Sequence, residues 1–154
     1  MALNIVLIEP EIPNNTGNIG RLALASGTHL HLVKPFGFEI TDARLKRAGL
    51  DYWPHVNITT YESAADFFEK HQDKKMAFLS SHGHKDYWNI PFEDNLFLIF
   101  GKESVGLSKE IIETHKKHVY KIPLFSDHVR SLNLANAVAV VTYEGIKTLK
   151  NNIE

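Results

Sequence analysis

The sequence predicts an α/β fold in which a mostly parallel sheet is covered by helices on both faces. Strand-like segments alternate with segments of helical periodicity along all 154 residues. Several strand-like segments are continuously apolar, which is typical of parallel strands that are buried on both faces of a sheet. A chain of this length buries about 68–70% of the surface that its unfolded form exposes. We therefore expect a single domain over residues 1–154.

Six segments have the length and composition of strands. Each is a short, mostly apolar or β-branched run bounded by turn-forming or polar residues, and the first ends at Pro10. In chain order they are LNIVLIEP (3–10), LHLVKP (30–35), VNITTY (56–61), KMAFLSS (75–81), LFLIF (96–100) and VYKIPL (119–124).

Five segments between and after these strands are predicted to form helices. The first begins near Asn15 or Thr16, both good N-cap residues, and ends at Gly27, a typical C-cap. The others are a short basic helix over 41–49, an amphipathic helix over 63–71, a helix from about 108 to 117 that a serine caps, and a terminal helix from about 133 to 150.

The composition narrows the classes of function. With a net charge of −1, the chain is not expected to bind polyanions indiscriminately. It contains no apolar run of membrane-spanning length, and its first residues have neither the basic start nor the apolar core of a signal peptide. We therefore expect a cytoplasmic protein without a membrane span. The absence of cysteine excludes disulfides and thiol nucleophiles.

A local basic cluster is still a candidate contact for phosphate groups. It comprises Lys34, Arg44, Lys46 and Arg47, in a stretch rich in turn residues. The alternative is an ordinary solvated helix face.

The loop GKESVG (101–106) follows the fifth predicted strand, and ligands of open α/β sheets bind at the carboxyl ends of strands. Its two glycines have the spacing of a P-loop, but Leu107 stands where that motif has lysine. A nucleoside triphosphatase is therefore not favoured, and the dinucleotide pattern G-x-G-x-x-G does not occur. Two ordinary turn glycines remain the alternative.

Histidine and serine residues do not form a recognisable catalytic pattern. The nine histidines include three close pairs, at 29/31, 82/84 and 115/118, but no carboxylate lies at a matching spacing. We predict no metal site and favour satisfied or solvated histidines. Ser80 and Ser81 follow a strand without a G-x-S-x-G elbow, so a hydrolase is weakly supported.

The first and last helices carry the remaining candidates. In the first, Ile19, Leu22 and Ala23 share one face, and Arg21 points nearly opposite. Arg21 is either a solvated charge or a group that binds an anion near the start of the helix. The terminal helix is apolar on two sides, and the stripe that includes Tyr143 predicts contact with a partner subunit.

Three motifs together resemble the SpoU branch of the SPOUT superfamily of RNA methyltransferases. They are NTGNIGR (15–21), FGKESVGL (100–107), and IPL (122–124) followed by RSLNLANAV (130–138). The segments LNIVLIEPEIPNNTGNIGRL (3–22) and RLKRAGLDYW (44–53) extend the similarity to small single-domain tRNA 2′-O-methyltransferases over essentially the whole chain.

This resemblance implies a trefoil knot in the C-terminal part of the fold, a homodimer, and S-adenosylmethionine as methyl donor without a metal ion. It also implies a tRNA substrate, bound through its anticodon stem-loop and methylated on the ribose of the wobble nucleotide, C34 or U34. The products would be the 2′-O-methyl group and S-adenosylhomocysteine. Another tRNA or rRNA site, or a non-catalytic RNA-binding protein on the same scaffold, stays open as an alternative.

The positions that match the family's motifs imply roles for individual residues. The implied cofactor-binding residues are Leu79, Gly101, Glu103, Gly106, Ile122, Leu124 and Ser131. The implied catalytic residues are Arg21, Asn15, Ser131 and Asn133, and the candidate substrate-binding residues are Arg21, Lys34, Arg44 and Arg47. Gly101 is expected to let backbone approach the cofactor. Arg21 stays protonated in proteins, so we expect it to bind a phosphate or the forming alkoxide.

Overall fold

The computed structural model describes residues 2–39, 43 and 51–153, and these contain one seven-stranded sheet. Every pairing between its strands is parallel, and the order across the sheet is β3-β2-β1-β6-β4-β7-β5. The strands are β1 (Asn4–Ile8), β2 (His29–Val33), β3 (Ile58–Tyr61), β4 (Met76–Leu79), β5 (Lys85–Asp86), β6 (Phe97–Phe100) and β7 (Val119–Lys121).

Within the described residues, four α-helices connect or follow these strands: α1 (Pro13–Ser26), α2 (Ala64–Lys70), α3 (Lys109–Thr114) and α4 (Leu134–Ile153). Short 3-10 turns lie at Trp53–His55, Tyr87–Asn89 and Lys116–His118. None of the helices in the described part of the chain is long and apolar enough to cross a membrane.

The sheet has a separate hydrophobic core on each face, because successive side chains of a strand point to opposite sides. On β2, Leu32 packs into the core beneath α1 and α4, and Val33 packs into the core beneath α2 and α3. The predicted α/β class, with helices on both faces of a parallel sheet, is confirmed.

The predicted ends of the helices are partly confirmed. Gly27 ends α1 in the left-handed conformation at φ 66°, and the Ser63 and Ser108 hydroxyls accept backbone hydrogen bonds at the starts of α2 and α3. The predicted start of α1 is wrong: the helix begins at Pro13, so Asn15 and Thr16 lie buried within its first turns. Proline suits the first helical position because it has no N–H that needs a partner.

The remaining differences concern short or polar segments. Strand β5 was not predicted, because two polar residues carry no strand signal, and α3 gives way to a 3-10 turn after Thr114. Helix α4 runs from Leu134 to Ile153, slightly beyond the predicted end. The predicted basic helix over 41–49 lies, except for residue 43, outside the described residues.

Candidate active site

A cavity of about 440 Å³ opens where three neighbouring strands end, at the carboxyl edge of β6, β4 and β7. This is where ligands bind in open α/β sheets, and the volume is typical of a small-molecule site. Its walls come from the segments that follow these three strands, from the loop before α4 and from the start of α1. The lining residues include Asn15, Leu79, Gly101, Glu103, Gly106, Ile122, Leu124, Ser131 and Asn133.

The structure thus brings together all seven implied cofactor-binding residues and two further implied catalytic residues. They come from five segments spread between residues 15 and 133. A larger cavity of about 860 Å³ is lined by residues of α2 and α3 and of the segments that precede β4 and β6, and none of the implied site residues lines it. Volume alone would select the larger cavity as the candidate active site, but the three motifs converge on the smaller one.

Both glycines of the loop after β6 are required by the loop's own fold. A Cβ atom on Gly101 would lie 2.1 Å from the backbone carbon of Gly106 and 2.2 Å from the nitrogen of Leu107. Gly106 has φ 71°, a left-handed conformation that glycine adopts without strain, and its N–H donates to the Lys102 carbonyl at 2.9 Å. The loop's own backbone thus gives a reason for glycine at position 101, and the expected approach of backbone to the cofactor at Gly101 stays a prediction.

Glu103 fastens this loop to the start of α1. Its two carboxylate oxygens accept hydrogen bonds from the backbone N–H groups of Glu11 at 2.8 Å and Ile12 at 2.6 Å. The Glu11 carboxylate accepts in return from the N–H of Ser104 at 2.8 Å, and this bond lowers the pKa of Glu11. A carboxylate at a helix start satisfies free N–H groups and interacts favourably with the helix dipole. Glu103 therefore anchors the two residues that precede α1, and neither Asn15 nor Thr16 is the N-cap that the sequence predicted.

Asn15 connects this clamp to the third motif. Its side-chain NH₂ donates to Glu103 Oε2 at 3.3 Å, and its oxygen accepts from the Asn133 side chain at 3.0 Å. The Asn133 oxygen accepts from the backbone N–H of Asn136 at 3.2 Å and so caps α4, as predicted. One residue from each of the three motifs thus joins a single hydrogen-bonded chain at the wall of the cavity.

Arg21 does not line the cavity. It lies on the exposed face of α1, as predicted, six residues or about 9 Å along the helix from Asn15. It is close to Tyr52, whose hydroxyl donates to the Gly17 carbonyl at 2.9 Å. Burial raises the pKa of Tyr52, and the positive charge of Arg21 acts in the opposite direction. Its catalytic role stays a prediction.

The candidate phosphate contacts also lie away from the cavity or outside the described residues. Lys34 follows β2 and its ammonium group forms an exposed ion pair with Glu62 at 3.1 Å. Such exposed pairs contribute about 0–1 kcal/mol, so Lys34 can exchange this partner for a phosphate. Arg44, Lys46 and Arg47 fall outside the described residues.

Sequence reasoning missed several residues at the cavity. Arg130 lines it, and within the described part of the chain its guanidinium forms no ion pair or hydrogen bond. Ser80 and Ser81, which were weighed only as hydrolase nucleophiles, line it as well. Their position directly after β4 was the available signal, because the carboxyl ends of neighbouring parallel strands share one edge.

The histidines were considered as metal ligands, and one of them is buried in the core. Within residues 2–39, 43 and 51–153, no group of three or more histidine, aspartate or glutamate side chains is arranged to hold a metal ion. His31 is buried in the core beneath α2, where its ring nitrogens contact the Tyr61 hydroxyl at 2.8 Å and Asn4 Oδ1 at 2.9 Å. Burial, with the neighbouring His29 and His71, lowers the pKa of His31 to about 3. This histidine is structural.

Comparison with known proteins places the chain in a family. Residues 2–143 match the model of the SpoU rRNA Methylase family. A tRNA (cytidine(34)-2′-O)-methyltransferase of Escherichia coli is 40% identical over 148 residues, which are 96% of this chain and 94% of that protein. The protein of the same name from Saccharophagus degradans is 41% identical over 147 residues, 95% of each chain. A solved structure from work on the 2-OH methylation of C/U34 on tRNA superposes with a TM-score of 0.91 at 42% identity, covering 97% of both chains.

The parallel sheet with a cavity at the carboxyl ends of its strands is the architecture of a ligand-binding α/β protein. The three motifs that line the cavity identify the family within that class. The chain belongs to the SpoU family of RNA methylases. The family resemblance drawn from the three motifs is thereby confirmed.

Proposed function

We propose that this protein transfers a methyl group from S-adenosylmethionine to the ribose 2′-oxygen of nucleotide 34, the wobble nucleotide, in tRNA. The observation that carries the proposal is the convergence of three separate motifs on one cavity at the ends of β6, β4 and β7. Relatives about 40% identical over nearly their full length, named for methylation of cytidine 34, support the choice of RNA and position.

The cavity suits the proposed methyl donor. Leu79, Ile122 and Leu124 offer apolar surface for an adenine ring, and backbone groups of the loop after β6 are available to its polar edge. Ser131 lies at the same wall, so its hydroxyl is available to the nucleoside part. When bound, S-adenosylmethionine supplies an electrophilic methyl group on a sulfonium centre. We further propose that the chain around this cavity forms the trefoil knot of the family.

The protein's own contribution to the reaction is alignment and charge stabilisation. The Glu103–Asn15–Asn133 chain holds the three motif segments in fixed relative positions, which preorganises the wall of the cavity. Arg21 is exposed, so it acts on the RNA from outside the cavity, by binding a phosphate or the developing charge on the ribose oxygen. A guanidinium remains protonated, so Arg21 is not the literal base.

A homodimer is the proposed assembly. Helices α1 and α4 pack against each other, and Leu24, Val140 and Tyr143 leave large apolar surface exposed on this pair. Apolar surface of this kind on a helix pair is suited to a second copy of the chain. Two copies would also double the surface that holds the tRNA anticodon stem-loop, with Arg21, Lys34, Arg44 and Arg47 as the proposed substrate contacts. The single domain is proposed to act in the cytoplasm, where tRNA is matured.

Methyl transfer from radiolabelled S-adenosylmethionine to an unmodified tRNA transcript tests the proposal. We expect one methyl group per tRNA, no transfer when nucleotide 34 carries a 2′-deoxyribose, and unchanged transfer by EDTA-treated enzyme. The family's name, SpoU rRNA Methylase, favours ribosomal RNA as the second candidate. Transfer to ribosomal RNA, with none to any tRNA, would establish that alternative. Binding of S-adenosylhomocysteine without transfer to either RNA would indicate a non-catalytic RNA-binding protein.

A further inference from the structure

The mouth of the candidate active site is unusually apolar for a surface that faces water. Of the ten large apolar side chains that are exposed in the described part of the chain, six lie at this mouth or in the loop between β7 and α4. They are Ile12, Val105, Leu124, Phe125, Val129 and Leu132. Phe125 is the extreme case, with 94% of its surface exposed.

Phe125 contributes almost nothing to the folded core. Its ring is not part of the cavity wall, but the residue directly follows Leu124, which lines the cavity, and the same loop returns to the cavity at Arg130. The backbone of Phe125 therefore lies beside the site. A phenylalanine ring in water forgoes the stabilisation that burial would give it. A partner that covers the ring during function would account for this exposure.

We propose that Phe125 stacks on a nucleobase of the RNA substrate, at nucleotide 34 or at one of its two neighbours. This inference rests on the proposed function and adds a residue that positions the substrate. A ribose that reaches the methyl donor must bring its own base and the adjacent bases to the mouth of the cavity. Every base has a flat π-face, and an exposed aromatic ring beside a positive charge is the usual platform for single-stranded RNA.

The charge at the mouth agrees with RNA as the occupant. Arg130 belongs to the same loop as Phe125, lines the cavity, and has no protein partner within the described residues. Its guanidinium is available for a phosphate next to the stacked base. The proposed dimer does not need this surface, because its apolar residues, Leu24, Val140 and Tyr143, lie on α1 and α4.

The test is a cycle that removes the ring and the base separately and together. Binding of an anticodon stem-loop to the protein with S-adenosylhomocysteine is measured by fluorescence anisotropy. Phe125→Leu, which keeps an apolar side chain but removes the ring, should weaken binding by about 5- to 150-fold, which corresponds to the 1–3 kcal/mol typical of base–aromatic stacking. Phe125→Trp should bind at least as tightly as wild type. Stem-loops lacking the base at nucleotide 33, 34 or 35 complete the cycle.

On the stem-loop that lacks the stacked base, Phe125→Leu should cost less than twofold. The other two abasic stem-loops should show the full loss. Equal binding by wild type and Phe125→Leu, or an undiminished loss on all three abasic stem-loops, would overturn the proposal. The control is Trp88→Leu, which removes a half-exposed ring from the turn after β5 and should leave binding within twofold. A loss at Trp88 with the same dependence on the bases would likewise contradict a specific role for Phe125.

Two further readouts separate this proposal from the function on which it rests. Phe125→Leu should bind S-adenosylhomocysteine and melt like the wild type, because the exposed ring packs against little of the protein. If the wild type neither binds nor methylates the stem-loop, the proposed function fails and the stacking proposal with it. If the wild type methylates nucleotide 34 and no base couples to Phe125, only the stacking proposal fails.

Discussion

The Glu103 clamp can be tested by a substitution that changes its charge and hydrogen bonding but barely its shape. In Glu103→Gln, one carboxylate oxygen becomes an NH₂ group, which cannot accept from the N–H of Glu11 or Ile12. One charge-assisted hydrogen bond is lost and the other becomes a neutral one. An unsatisfied donor costs about 1–3 kcal/mol, and the lost charge at the start of α1 adds about 0.3–1 kcal/mol. Because water reaches part of this site, we expect a total of about 2 kcal/mol.

The assay is urea unfolding followed by circular dichroism, at one fixed protein concentration because a dimer's stability depends on concentration. For a chain of this size, about 2 kcal/mol corresponds to a fall in Tm of about 4–8 °C. Binding of S-adenosylhomocysteine should weaken too, since the loop after β6 loses its anchor. The matched control is Glu113→Gln on the exposed face of α3, which should change stability by less than about 0.5 kcal/mol. If Glu103→Gln is as stable as this control, the clamp does not stabilise the site.

Three further predictions follow from the same structure. Arg21→Ala should keep Tm within a few degrees and bind S-adenosylmethionine normally, but it should methylate tRNA at least about 100-fold more slowly in single-turnover kinetics. Arg21→Lys should restore little of this rate. A near wild-type rate of Arg21→Ala would mean that Arg21 is only a surface charge. Tyr143→Asp should shift the mass measured by light scattering toward the monomer and lower activity, whereas a fully active wild-type monomer at micromolar concentration would contradict the proposed dimer. His31 has a pKa of about 3 in the folded state against about 6.5 in the unfolded state. Between these values only the unfolded chain takes up a proton on His31, so its contribution to the free energy of unfolding is highest above about pH 6.5 and falls as the pH drops toward 3. Urea unfolding should therefore show less stability at pH 5 than at pH 7, with about 2 kcal/mol of the loss coming from His31. No loss over this range would mean that His31 is not held neutral.

The sequence predicted the parts of the fold that depend on local pattern. Apolar runs identified six of the seven strands, and Ser63, Ser108 and Gly27 identified helix ends, because these signals act within a few residues. Strand β5 could not be predicted, since its two residues form a strand only by pairing with β7.

The candidate site was predictable as a set of residues but not as a geometry. The motifs named the residues that line the cavity, yet the start of α1 is fixed by Glu103, about 90 residues further along the chain. No local pattern reports such a contact, which is why Asn15 was predicted as a cap and is instead a link between Glu103 and Asn133. The exposure of Phe125 is equally invisible in the sequence, because IPLF reads as the end of a strand.

The most direct test of the central claim is a map of 2′-O-methyl groups in RNA from cells that lack this gene. The account predicts that the mark at nucleotide 34 disappears from particular tRNAs, returns with the wild-type gene, and does not return with Arg21→Ala. An unchanged mark at nucleotide 34, together with the loss of a 2′-O-methyl group at another tRNA position or in ribosomal RNA, would contradict the account.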